Sequence, residues 1–166
     1  VMLNILRVLP TTDHIAIVMS ASPLERFWKG QIQKEVETLN DRVAFTWFND
    51  LPFDDMLKKA SNLPPRTAVL FVSLTVDVNG VPQTDVNVFS RFREVSNAPI
   101  FSYEDSHFGS GLVGGPMLSA SDVSRRTVDA AAQILSSTGS SGMPSRTTVG
   151  LASPRFDWRE MQRWGI

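Results

Sequence analysis

The feature that most constrains this chain is an alternation. Short apolar runs of β-forming residues recur along it, separated by segments with helical apolar spacing and their own caps. His14-Ile15-Ala16-Ile17-Val18-Met19 reads as a strand buried on both faces. Ser22 then offers a cap, Pro23 a first helical residue and Glu25 a capping-box partner. Leu24, Phe27, Trp28, Ile32, Val36 and Leu39 follow at helical spacing, which predicts one buried stripe with Trp28 in the core. Val43–Phe48 is a second strand, and Phe53, Met56, Leu57 and Ala60 mark a second helix that stops before Leu63-Pro64-Pro65. Ala68–Leu74 is the clearest central strand, and Asn79-Gly80 marks a turn. Thr84-Asp85 opens a third helix with Val88, Phe89, Phe92 and Val95 inward. Pro99–Tyr103 and the glycine-rich Gly111–Gly115 are further strands. A long helix runs from Ser121 to about Leu135. The stretch Thr138–Pro144 signals a flexible connection, set at 139–146, ahead of a last strand at Thr147–Leu151.

Strands alternating with helices give a single α/β domain with a doubly wound, mostly parallel sheet, a Rossmann-like or flavodoxin-like three-layer arrangement. The 166 residues suffice for one domain with a substantial core. A net charge of −1, with both signs scattered, argues against a nucleic-acid footprint, which needs a basic patch. The chain has no cysteine, so disulfides and thiolate chemistry are excluded. Val1–Pro10 lacks the basic start and cleavage site of a signal peptide. It reads instead as the last turns of a helix ending at a proline.

In open α/β sheets, ligands lie beyond the carboxyl ends of the strands. Those ends are Ser20-Ala21-Ser22, Phe48-Asn49-Asp50, Ser73–Asp77 and Tyr103–His107. They gather hydroxyls, carboxylates, an aromatic ring and a helix N-terminus suited to an anionic group. Loop polarity alone explains such a composition equally well. Gly109-Ser110-Gly111-Leu112-Val113-Gly114 matches G-x-G-x-x-G. It neither follows the first strand nor opens a helix directly, so tight backbone turns are the better reading and no nucleotide cofactor is expected. A phosphoacceptor receiver domain fails on residues, since the acids and the lysine it needs are not at the strand ends. No G-x-S-x-G elbow is present. Glu104, Asp105 and His107 form the one cluster open to a metal, though their spacing fits no familiar template. No cofactor, metal or catalytic residue is therefore expected.

The segment Phe156–Ile166 reads as a short closing helix. Asp157 caps it, Glu160 sits in capping-box position, Gly165 ends it, and Trp158 and Trp164 dock it. Together with Ala21–Trp28, Phe45-Thr46-Trp47, Phe53–Leu57, Leu63–Leu74 and Gly111–Gly115, in that order, it resembles the second half of a type I periplasmic-binding-like domain. The likeness is to the sensors that precede the membrane and kinase parts of bacterial histidine kinases. The resemblance implies the C-terminal lobe of a two-lobed, extracytoplasmic small-solute receptor with no enzymatic activity. The solute receptor of an ABC importer is the near alternative, and a small metal-dependent hydrolase using Glu104, Asp105 and His107 is the distant one. By resemblance, the cleft wall comes from Ser20, Ser22, Phe27, Thr75, Tyr103, Asp105 and Gly114. The expected partners are a small-molecule solute and a missing N-terminal lobe, of which residues 1–9 are a remnant. The long helix would enter that lobe through a hinge near Gly114-Gly115-Pro116. Without it, the chain is expected to self-associate, as in a homodimer, or to repack that helix on its own sheet.

Overall fold

A computed structural model describes residues 1–83, 85–136 and 153–166. The chain runs α1 (Met2–Val8), β1 (His14–Val18), α2 (Pro23–Val36), β2 (Ala44–Trp47), α3 (Phe53–Ala60), β3 (Thr67–Phe71) and α4 (Asp85–Val95). It continues through β4 (Ile100–Phe101), β5 (Gly114–Pro116), α5 (Ala120–Ser136), β6 (Pro154–Phe156) and α6 (Trp158–Trp164). The sheet order is β2-β1-β3-β4-β5-β6. The first five of these neighbours pair in parallel, and β6 joins β5 antiparallel. This is the expected α/β, mostly parallel, Rossmann-like architecture. The cap expected at Thr84, the connection at 139–146 and the strand at Thr147–Leu151 lie outside the described residues. Strand β6 falls where the sequence pattern shows no strand; it carries the start of the segment expected to be wholly helical.

Strand β1 shows why the layers form. Ala16 and Val18 point into one core with Phe48, Met56, Phe71, Phe89 and Phe92, against α3 and α4. Ile15, Ile17 and Met19 point into a second with Ile5, Leu6, Phe101, Met161 and Trp164, against α1 and α6. The period-2 alternation of a strand thus feeds two cores, and both faces demand apolar residues. In the first core Phe71 meets Phe89 and Phe92 edge-on, at centroid distances of 5.3 and 6.0 Å.

Four expectations about packing need correction. The stripe of α2 is not buried along its length. Only Val36 is buried, while Leu24, Phe27 and Trp28 are 63, 59 and 51% exposed. The first turns of the helix, at the carboxyl edge of β1, make polar contacts through Glu25 and Lys29, and its apolar side chains meet the core only later, at Ile32. Val95, at the last position of α4, is exposed rather than inward. Trp158 is exposed too, and α6 docks through Met161 and Trp164. Glu160 makes no capping box; it is buried against Arg93 and Arg163. The cap and stop of α6 are as expected. Asp157 accepts the Arg159 N–H at 2.9 Å, and Gly165 closes the helix in the left-handed region at φ 65°.

Helix α5 buries none of its residues, and it has not repacked onto the sheet. Val128, Ile134 and Leu135 face outward. It leaves from β5, and the chain returns through the adjacent antiparallel β6.

Candidate functional site

With order 2-1-3-4-5 the direction of winding reverses between β1 and β3, and the crevice at that switch point is where α/β sheets take ligands. Two polar arrangements meet there. Ser20, fully buried at the end of β1, donates to the Val76 carbonyl at 2.9 Å and accepts from the Val76 N–H at 3.1 Å. Its oxygen is 3.2 Å from the Thr75 hydroxyl. Ser20 therefore pins the loop after β3 to the loop after β1, and Thr75 is the exposed member of the pair. The pinned loop is held from below by Asp77, a buried carboxylate that accepts the backbone N–H groups of Asn79, Val81 and Phe53.

The second arrangement is built on the first turn of α2. Ser22 caps the helix, accepting the Glu25 N–H at 3.4 Å. The Glu25 carboxylate accepts from the Ser22 hydroxyl on one oxygen and from the Ser73 hydroxyl, at 3.2 Å, on the other. Glu25 thus occupies the position where the helix N-terminus was expected to receive an anionic ligand, and it satisfies the helix dipole from within the chain. An acidic group with two serine hydroxyls faces this crevice instead.

Tyr103 carries the arrangement across to β4. Burial chiefly, then the charge of Glu104 and a hydrogen bond to it, and then Glu25, push its phenol up to about 12. The ring is a neutral hydrogen-bond donor at physiological pH. A phenol raised in the folded state contributes stability that is present below the unfolded value near 10 and lost as pH rises toward about 12. Tyr103→Phe is therefore expected to lose stability less steeply than the parent between pH 10 and about 12, as read by urea unfolding at stepped pH.

Phe27 stands open on α2, edge-on to Trp28 at 5.5 Å between ring centroids. Asp105 accepts the N–H of Ala120, the first residue of α5, at 3.3 Å, so it anchors that helix start. Gly114 is buried in β5 opposite Phe156 and presents backbone to β6 rather than a surface to solvent. Ser20 thus joins Thr75, Ser22 joins Glu25 and through it Ser73, and Tyr103 feels the charge of Glu25, while Phe27 stands on the open face of α2 and Asp105 and Gly114 serve the α5 and β6 connections. Sequence reasoning read Glu25 only as a capping residue and named Ser73 only as part of a strand-end loop, not as its partner. The signal was present: a first-turn glutamate at the switch point sits where its carboxylate reaches the next strand end as easily as its own backbone.

His107 does not join Glu104 and Asp105 as a ligand set. It is buried and stacked on Phe89, ring centroids 4.2 Å apart and planes 9° apart, with Phe71 edge-on. Among the described residues no group of three or more His, Asp, Glu or Cys stands together to hold a metal ion. No helix among them is long and apolar enough to cross a membrane. A cavity of about 310 Å³ lies at the amino-terminal end of the sheet, and one of about 530 Å³ lies along the outer edge of β2. Both are away from the carboxyl edge of the strands. No family model, curated protein or solved structure matches this chain.

Proposed function

We propose that the chain is the solute-binding lobe of an extracytoplasmic receptor of the periplasmic-binding type, acting as a sensor ahead of a histidine kinase. The observation that carries this reading is the open apolar face at the start of α2, Leu24, Phe27 and Trp28, on the same helix whose first turn ties Ser22, Glu25 and Ser73 together at the switch point. Exposed large apolar side chains grouped at one edge mark a surface that meets something. Here they share the first two turns of α2 with Glu25, which ties Ser22 to Ser73, so apolar and polar groups meet at one helix start, the mixture that small-molecule sites use. One wall of a two-lobed cleft has this form, since the opposing lobe supplies the other half. The departure of α5 from β5 with no buried residue, and the return through antiparallel β6, support a second lobe that α5 would enter. A solute that binds the closed arrangement better than the open one then shifts a two-state receptor. The solute receptor of an ABC importer has the same lobe and differs only in what it signals to.

The reading is tested by thermal shift of the chain across a panel of small polar metabolites, for the parent and for Phe27→Ala. Binding to the folded state raises the melting temperature by mass action. A saturable shift confined to one chemical class, and lost in Phe27→Ala, is the expected result. Because Phe27 is mostly exposed, its truncation is expected to change intrinsic stability by no more than about 0.5 kcal/mol. An unchanged shift in Phe27→Ala would remove the α2 face from the site.

A further inference from the structure

The cavity of about 310 Å³ lies at the opposite end of the strands from the crevice, and nothing in the solute-binding reading uses it. Leu9, Leu63, Pro99 and Trp164 give it apolar walls drawn from four separate parts of the chain. Its volume is at the lower end of the range for small-molecule sites, which are largely apolar with a few placed polar groups. Five polar residues line it, Thr11, Thr12, Arg66, Thr67 and Asn97, of which Thr12, Arg66 and Asn97 carry the argument.

Each has capacity to spare. Thr12 is only 5% exposed, yet among the described residues its side chain makes no hydrogen bond. The oxygen itself is accessible, since it is not among the buried side-chain atoms that lack a partner. The Thr12 hydroxyl borders the cavity, so a partner can come from there. Asn97 spends its oxygen and one N–H on the backbone of Leu63, at 3.1 and 3.0 Å, which leaves its second N–H.

Arg66 is the more telling. It holds φ at 61°, the only non-glycine residue at positive φ among the described residues. A glycine would make this turn after Pro64-Pro65 without strain. The strained backbone is held in place on both sides. Thr67 donates to the Pro64 carbonyl at 2.7 Å, and Arg66 accepts the Asp13 N–H at 3.3 Å. The guanidinium pairs with the Asp13 carboxylate through one nitrogen, leaving donors on the others. Strain retained at a cavity lining points to use of the side chain it carries.

We propose that this cavity binds a small carboxylate with a flat apolar body. The body lies against Trp164, Leu9, Leu63 and Pro99, and the carboxylate receives N–H and O–H donors from Arg66, Thr12 and Asn97. Arg66 is the only charged residue in this lining and its guanidinium can only donate, whereas the threonine hydroxyls and the Asn97 amide can serve either kind of head group, so the cation decides in favour of an anion. An ammonium head would meet that cation, and the nearby Asp13 carboxylate is already engaged by Arg66.

The test is a ¹⁵N chemical-shift titration of the whole chain with benzoate, with benzylamine and benzyl alcohol as ligands of matched body. Benzoate is expected to move Thr12, Arg66, Thr67 and the Trp164 indole at millimolar concentration, and the two controls to leave them in place. Thr12→Val, which keeps shape and removes the hydroxyl, and Arg66→Gln are each expected to weaken benzoate by about tenfold, or about 1.4 kcal/mol. Equal binding of benzylamine or benzyl alcohol would overturn the proposal. So would benzoate shifts confined to the carboxyl edge, no shift at all, or undiminished binding in both variants. If Arg66→Gln does not fold, Thr12→Val alone decides. A failure here leaves the solute crevice untouched, because the two sites share no residue.

Discussion

Gly115→Ala is expected to destabilise the fold by about 3–5 kcal/mol, through two terms of about 1–3 kcal/mol each, backbone strain and overpacking. Gly115 holds φ at +152°, and a Cβ there would stand 2.2 Å from the Ser102 carbonyl oxygen. The obstructing atom is backbone of the neighbouring parallel strand region, so it has little room to yield. Gly114, at φ +146°, faces the same problem on the other side, where a Cβ would stand 2.2 Å from the Arg155 carbonyl oxygen and 2.7 Å from Phe156. The two glycines let β5 lie between the β4 and β6 regions at distances no side chain permits. Gly80→Ala is the control. It too has positive φ, at +74°, but a Cβ there meets nothing within 4 Å. Its expected cost is only the left-handed backbone term, about 1–2 kcal/mol. Urea unfolding of the three proteins separates the terms. Equal losses for Gly115→Ala and Gly80→Ala would show that close strand approach contributes nothing.

The second large effect is expected at Glu160. Its carboxylate is 7% exposed and meets Arg93 at 3.1 Å and Arg163 at 3.5 Å. Arg93 reaches it from α4 across Gly111, where an added Cβ would overlap the guanidinium, 1.8 Å from its Nε. One carboxylate thus joins α4, α6 and the chain leading into β5. Removing one partner of a buried ion pair leaves a charge uncompensated, which costs about 3–5 kcal/mol when the pair is deeply buried. Arg163 remains and Arg93 is partly exposed, so Arg93→Ala is expected to cost less, about 2 kcal/mol. Adding Glu160→Ala to that variant is expected to cost less than the two single losses summed, since the orphaned charge is removed with it. Strict additivity in unfolding experiments would mean that the pair is not coupled.

These two sites also mark where the sequence was legible and where it was not. Strands β1 and β3 announced themselves as continuous apolar runs because a parallel strand with helices on both faces buries every side chain. The caps at Ser22 and Asp157 and the stop at Gly165 were legible because capping is local chemistry. The glycines at 114 and 115 read correctly as places of tight backbone, but not as the seam between parallel and antiparallel pairing. That seam depends on β6, whose three residues carry no alternation to read. Glu160 fitted a local capping rule, yet a partner 67 residues away in sequence claimed it.

The candidate site divides in the same way. Strand ends predict where Ser20, Ser22, Thr75 and Tyr103 stand, because order 2-1-3-4-5 brings those ends together. Periodicity does not predict which part of an amphipathic helix finds a partner. Leu24, Phe27 and Trp28 have the same spacing as Ile32 and Val36, yet they stand exposed while Ile32 packs against the core and Val36 is buried. The open face of α2 that carries the functional proposal was therefore legible as apolar and invisible as exposed. Glu25 reversed the expected charge of the crevice for a similar reason. Its capping role is local, whereas its bond to Ser73 belongs to the fold.

The central claim, that the carboxyl edge is a solute wall, is tested most directly by mapping backbone chemical shifts of the ¹⁵N-labelled chain with the metabolite class that stabilises it. The account predicts saturable shifts that cluster at Ser22, Glu25, Phe27, Ser73, Thr75 and Tyr103, on the loops after β1, β3 and β4. Shifts that cluster instead on the outer edge of β2, or spread over the surface without saturating, would contradict it.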